Sequence, residues 1–256
     1  MAELRRILVD VQRLSDVRST DLNLTLEEKE VHYIKRVLRL ELGESIHVVD
    51  GRGGIWKGQV HKKNILKLDD SFNAHQIKEN RFRPLLGIAI SIPKRGFDDV
   101  LRMTTEMGVD MICPLFSKRS VVTKESLTKS RRWQTIVSEA VEQSERLWSP
   151  DLMEPLDFSQ WIKTACSTSL IAIASPRLKD GQGVKSWIGS LDSSIEQIWV
   201  LIGPEGGWAE SEINRSREMG FPEVNLGDSI LRTSTAAVAA VQEMTSWRRF
   251  EFLYNN

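Results

Sequence analysis

Cysteine is nearly missing from this chain: Cys113 and Cys166 are the only two in 256 residues. Two thiols so far apart exclude a disulfide framework and a cysteine-based zinc site, and their apolar neighbours predict buried structural thiols. Histidine is almost as sparse. His32, His47, His61 and His75 all lie in the first third and form no HxxxH or HExxH pair, so no metal is expected. No apolar run approaches the ~20 residues that span a bilayer. The start, Met1-Ala2-Glu3-Leu4-Arg5-Arg6, has no apolar h-region and no cleavage signal. A cytoplasmic protein with no membrane partner is expected. A Walker A loop and a complete GxGxxG are also absent, and Gly51-Arg52-Gly53-Gly54 reads as a turn. Neither sign of charge dominates, with 35 basic and 35 acidic side chains. Hydrophobic residues make up 41% and the mean hydropathy is −0.28. That profile excludes disorder, collagen and coiled coil and leaves a soluble globular protein of one large domain or two modest ones.

Two patterns of periodicity divide the chain. Leu4–Val9 reads as a strand. Thr25-Leu26-Glu27-Glu28 has the form of a capping box with Thr25 as N-cap, opening a helix with Val31, Ile34, Val37 and Leu38 on one face and closed by Gly43. Ile46–Asp50 and Ile55–Val60 flank the glycine turn as a hairpin, and Ile65–Leu68 is a further strand. Residues 1–75 are therefore predicted to be a small β-rich domain, with the polar stretch Asp69–Arg83 as linker. From Pro84 strands and helices alternate: strands at Leu85–Ile92, Met111–Phe116, Ser169–Ala174, Ile198–Ile202 and Val224–Leu226, helices at Phe97–Met107, Ser130–Leu147, Glu210–Met219 and Thr233 to about Phe250. Strands apolar on both faces alternating with helices predict an α/β domain on a parallel sheet over residues 76–256.

Ligands of such sheets sit beyond the carboxyl ends of the strands. Three segments end a strand with loop chemistry: Ala174-Ser175-Pro176-Arg177, Gly203-Pro204-Glu205-Gly206-Gly207, and Leu226-Gly227-Asp228-Ser229-Ile230-Leu231-Arg232-Thr233. Glycines there let backbone approach a ligand closely, although Gly203–Gly207 alone is also compatible with a plain strand-to-helix turn. Thr233 is expected as the N-cap of the last helix. Arg232 just before it opposes the helix dipole, which points to a role other than local stability. Gly227-Asp228-Ser229 has the look of a hydrolase nucleophile block, but no histidine follows it to act as base.

Gly203–Trp208 followed by Leu226–Ala236 resembles the cofactor loops of the small-subunit ribosomal RNA uridine-N3 methyltransferases of the SPOUT class. Thr105–Val109, Pro114–Ser120, Glu139–Arg146, Val37–Leu40 with Gly43, and Asp50-Gly51 match in the same order. The resemblance implies an N-terminal PUA-like β-barrel that holds RNA. It implies a C-terminal parallel sheet with a deep trefoil knot, and a homodimer with the active site at its interface. The methyl donor would be S-adenosyl-L-methionine. Its bed would be Ser175, Gly203, Pro204, Glu205, Gly206, Gly207, Leu226, Gly227, Ile230, Leu231, Thr233 and Thr235. Arg232 would stabilise the uracil anion or orient the base, and Glu205 would orient a loop or help with the proton; a plain loop brace is an equal reading of Glu205. Arg5, Arg6, Arg36, Arg39, Lys94, Arg95, Arg119 and Arg146 would meet ribosomal RNA or the assembled small subunit. The chain departs from the family's usual pattern at Met103, Glu145, Asp228 and Ser234 and within Pro93–Asp98. A SPOUT enzyme with another RNA target and a non-catalytic ribosome-assembly factor remain as alternative readings.

The balanced charge conceals a gradient. Residues 76–150 carry 13 basic and 9 acidic side chains, whereas residues 151–256 carry 9 and 14. A basic stretch within a neutral chain suits recognition of one structured RNA site and predicts weak binding to short naked RNA.

Overall fold

The computed structural model describes residues 5–18, 20–74, 77–124, 130–164, 169–175, 182–189 and 195–254. These fall into two units: residues up to Arg81 together with Ser138–Ser149, and Phe82–Val137 together with the residues from Pro150 onward.

The first unit is built on period-two strands. It comprises β1 (Arg6–Leu8), α1 (Val11–Ser15), β2 (Asn23–Thr25), α2 (Glu28–His32), β3 (Ser45–Val49), β4 (Gly54–Lys62), β5 (Ile65–Leu68) and β6 (Ile77–Lys78). The sheet order is β1-β3-β4-β5-β2, with β6 paired to β4. The expected hairpin is β3–β4, with Val48 opposite Trp56. Ile7, Ile46, Val48, Trp56, Leu66 and Leu68 close its core. Three expectations change here. Thr25 ends β2 and is not an N-cap; Glu27 caps α2, and its backbone N–H donates to Glu30 Oε2 at 2.8 Å. The helix is not regular throughout either, because Tyr33–Val37 is a π turn. The extra residue per turn rotates the apolar stripe, which leaves Val37 60% exposed while Ile34 stays buried. Finally, Asp69–Arg83 is not all linker, since β6 adds to the sheet through Gly54–Lys78 and Ile55–Ile77.

The second unit follows the alternation expected of it. It comprises β7 (Leu85–Ser91), α3 (Phe97–Glu106), β8 (Met111–Phe116), α4 (Ser130–Gln143, of which Ser138 onward counts with the first unit), β9 (Asp151–Leu152), β10 (Leu156–Asp157), α5 (Phe158–Trp161), β11 (Ser169–Ala174), α6 (Val184–Ile188), β12 (Gln197–Ile202), α7 (Glu210–Glu218), β13 (Glu223–Val224) and α8 (Thr233–Tyr254). The sheet order is β10-β8-β7-β12-β11-β13, with β9 on β8, and each of these pairs is parallel. β7 and β8 are buried along nearly their whole length, which is why their residues read as continuous apolar runs. Gly87 lies opposite Trp199 in the register. A Cβ at Gly87 would stand 2.5 Å from the indole, so the glycine makes room for a ring that packs edge-on against Trp161.

Cys113 lies in this sheet and burial pushes its thiol up to about 12, as befits a structural cysteine. Cys166, His75 and the loop residues Pro176 and Arg177 lie outside the described residues. Among the described residues no helix is long and apolar enough to cross a membrane, and no cluster of His, Cys, Asp and Glu could hold a metal.

Candidate functional site

β11, β12 and β13 run parallel, so their carboxyl ends open on one side of the sheet. Just beyond them lies a cleft with about 630 Å³ of empty space, part of it open to solvent. The loop after β12 forms one wall. Gly207 N–H donates to Pro204 C=O at 2.8 Å, closing a turn, and the turn needs Gly207 at φ +70°. The other wall is the segment from Leu226 to Thr233. Thr233 ties the walls together: its Oγ1 donates to Gly203 C=O at 3.0 Å. Trp208, only 7% exposed, backs the floor, with Nε1 donating to Ala174 C=O at 3.1 Å and its ring against Phe158. A Cβ at Gly203 would meet that indole at 3.0 Å.

Ten of the twelve cofactor candidates line this one cleft: Ser175, Gly203, Pro204, Glu205 and Gly207, and across from them Leu226, Gly227, Ile230, Leu231 and Thr233. Gly206 and Thr235 do not. Gly206 faces Arg119, whose Cβ would lie 3.4 Å from a Cβ at that glycine, and Thr235 is exposed on α8. The helix begins at Thr233, and Ala236 N–H donates to Arg232 C=O. The N-cap is therefore Arg232 and not Thr233, because the Thr233 hydroxyl is committed to Gly203. The Arg232 side chain is exposed beside the cleft without lining it. Glu205 braces a neighbouring loop, its Oε1 accepting from Lys94 N–H at 3.1 Å.

Two residues have supporting roles that the sequence did not suggest. Arg119 Nη1 donates to the carbonyls of Gly206 and Trp208, each at 3.2 Å, so this candidate RNA contact holds the glycine loop. Glu212, 3% exposed, accepts from Lys118 N–H and Ala209 N–H. Arg119 pins the loop after β8 to the loop after β12, and Glu212 pins it to the start of α7, across more than 80 residues of sequence.

The remaining cations divide by surroundings. Arg5 pairs with Glu44 at 3.0 Å. Arg6, with a side chain 10% exposed, is bonded to the Glu145 carboxylate and to the Glu145 carbonyl. Arg146 is half-buried. Arg36, Arg39, Lys94 and Arg95 are exposed, Arg39 at φ +54°. In the same unit as Arg6, Glu142 Oε1 accepts from Leu8 N–H at 2.7 Å. Burial pushes the Glu142 carboxyl up to about 7, against the Leu8 and Tyr33 hydrogen bonds that pull it down. Glu142 thus docks a helix end onto β1 rather than standing in the cleft.

Among the described residues the cleft offers backbone amides and carbonyls, apolar contacts from Ile202, Leu226 and Leu231, and one carboxylate, Glu205. That donor set suits a molecule with a flat, amide-edged ring, an apolar body and positive charge.

A family model described as an RNA methyltransferase domain matches residues 80–245, and one described as an RNA methyltransferase PUA domain matches residues 26–68. The chain is 35% identical over 225 residues to the ribosomal RNA small subunit methyltransferase E of Synechocystis, covering 87% of this chain and 73% of that protein. It is 30% identical to the protein of the same name from Rickettsia conorii, covering 84% and 85%. The crystal structure of a ribosomal RNA small subunit methyltransferase E from Neisseria gonorrhoeae bound to S-adenosyl methionine matches with a TM-score of 0.78 at 27% identity, covering 95% of this chain and 98% of that one.

Proposed function

The chain belongs to the ribosomal RNA small subunit methyltransferase E family, and on that premise we propose that it methylates N3 of a uridine in small-subunit ribosomal RNA with S-adenosylmethionine as donor. The observation that carries this reading is the cleft itself: two glycine-bearing loops, joined by the Thr233–Gly203 bond, at the carboxyl ends of parallel strands. The residues fit the donor. Gly203 and Gly207 clear the backbone for close approach, Leu226 and Leu231 supply an apolar bed, and Glu205 offers the only charged side chain in the lining among the described residues, of the sign that faces a cation. Bound there, the donor supplies an electrophilic methyl group.

The uracil N3–H is a weak imide acid, so the protein's task is to place the nitrogen and stabilise the anion left when its proton departs. Arg232 is assigned that stabilisation, because its exposed guanidinium stands next to the cleft on the N-cap of α8. Glu205 is assigned a bracing role at Lys94 rather than proton transfer. We assign Arg5, Arg36, Arg39, Lys94, Arg95 and Arg146 to RNA contact, and Arg6 and Arg119 to structural support of the surfaces that make it.

In this reading the first unit closes as a PUA-like barrel and the second carries a trefoil knot. The active form is a cytoplasmic homodimer. Ile230 at the cleft, 77% exposed, favours a second copy covering that side.

Two measurements test the proposal. Mass mapping of ribosomal RNA nucleosides with and without the gene is expected to show loss of N3-methyluridine, and an unchanged amount would overturn the uridine-N3 assignment. Arg232→Ala is expected to lower kcat by about 100-fold while leaving donor affinity within twofold. Full turnover in that variant would remove Arg232 from the reaction.

A further inference from the structure

A second cleft lies over the carboxyl end of β7, with about 900 Å³ of empty space, part of it open to solvent. β7 and β12 are adjacent parallel strands, with Ile90 beside Ile202; Ile202 lines the first cleft and Ile92 the second, so the two open at neighbouring strand ends. Glu205, which lines the first cleft, accepts from Lys94 N–H in the second.

The charges of this second cleft are unequal. Its two acids are already engaged: Asp98 by Arg132 at 2.8 Å, Asp99 by Arg102 at 3.6 Å. Its two lining cations, Lys94 and Arg95, are exposed, and neither side chain has an ion pair or hydrogen bond among the described residues. Phe97 and Trp133, packed edge to face, form an apolar floor. Exposed cations at the rim of an apolar hollow fit a group that is anionic at one end and flat and weakly polar at the other.

We propose that this cleft receives the nucleotide that is methylated, its phosphates held by Lys94 and Arg95 and its base turned toward the glycine-loop cleft. The assignment rests on the reading of that neighbouring cleft as the methyl-donor site. Glu205 is then a positioning residue that holds the two sites in register.

The test uses the full chain, unmethylated small-subunit particles as the RNA probe, and calorimetry with S-adenosylmethionine as a separate readout. The double variant Lys94→Ala/Arg95→Ala is expected to bind particles about tenfold or more weakly, and the slope of log K against log salt is expected to shrink by about 1.5. Donor affinity stays within twofold. Val122→Phe, which fills the cleft without changing charge, is expected to weaken particle binding with the salt slope unchanged. Unchanged particle affinity in either variant overturns the proposal, because charge loss without a filling effect means the cations act only as open surface. Parallel loss of donor affinity also overturns it, by making the cleft part of the donor site. If the unaltered protein fails to bind donor, the donor-site reading falls by itself. The particle measurements on the two variants still decide whether the cleft takes RNA.

Discussion

Arg6 and Arg232 both stand beside motif residues, yet their surroundings are opposite. In the first unit the Arg6 side chain is 10% exposed and closed on Glu145. Its neighbour Glu142 is likewise spent on Leu8 N–H. In the second unit Arg232 is exposed, and the cleft beside it is lined mainly by backbone, glycine and aliphatic groups. The charges around Arg6 hold the chain together, while the Arg232 side chain stands beside the cleft with no ion pair or hydrogen bond among the described residues. A charge near a motif is therefore not by itself a functional charge; what decides is whether the fold has already supplied its partner.

Substitutions can break or sharpen that contrast. The largest effect is expected from Gly53→Ala. The glycine stands at φ +93°, and a Cβ would lie 2.3 Å from the Glu79 carbonyl oxygen. Backbone strain and overpacking together should lower stability by about 3 kcal/mol, read by urea unfolding, with donor affinity by calorimetry within twofold. A matching drop in donor affinity would erase the distinction between the regions.

Glu142→Gln tests the buried carboxyl. Folding raises its pKa from the ordinary 4.5 to about 7, so the folded chain binds the extra proton and stability falls as pH rises through that window. The glutamine variant has no charge to bury. It should gain on the order of 2 kcal/mol near pH 8, discounted from the full shift, and nothing below about pH 4. Unfolding midpoints that differ equally at both pH values would show that Glu142 acts through packing alone.

The smallest effect belongs to Thr233→Val, which removes the hydroxyl bond to Gly203. About 1 kcal/mol is expected, seen as roughly fivefold weaker donor binding with little change in unfolding by urea. A loss of stability without a loss of affinity would place the bond in the scaffold rather than in the site.

How much of this was legible in the sequence depended on range. Ser169–Ala174 and the β12 strand were legible because a buried parallel strand has an apolar side chain at nearly every position. The cleft was legible because glycines directly after such a strand have few other uses. The two-residue strands β6, β9, β10 and β13 are too short to show a period, and the apolar stripe that follows α2 loses its 3.6-residue repeat because Tyr33–Val37 is a π turn. The roles of Arg6, Arg119 and Glu142 were hidden for a different reason. Their partners Glu145, Gly206 and Leu8 lie 139, 87 and 134 residues away in the chain. Local pattern has no access to contacts made at that distance.

The return of Ser138–Ser149 to the first unit bears on the order of biosynthesis. Gly53 N–H donates to Leu147 C=O, Ser149 N–H to Gly51 C=O, and Trp148 Nε1 to the Glu79 carbonyl. A nascent chain therefore cannot finish its amino-terminal half as that half leaves the ribosome. The early strands must wait, partly unsatisfied, until more than half of the polypeptide has been made.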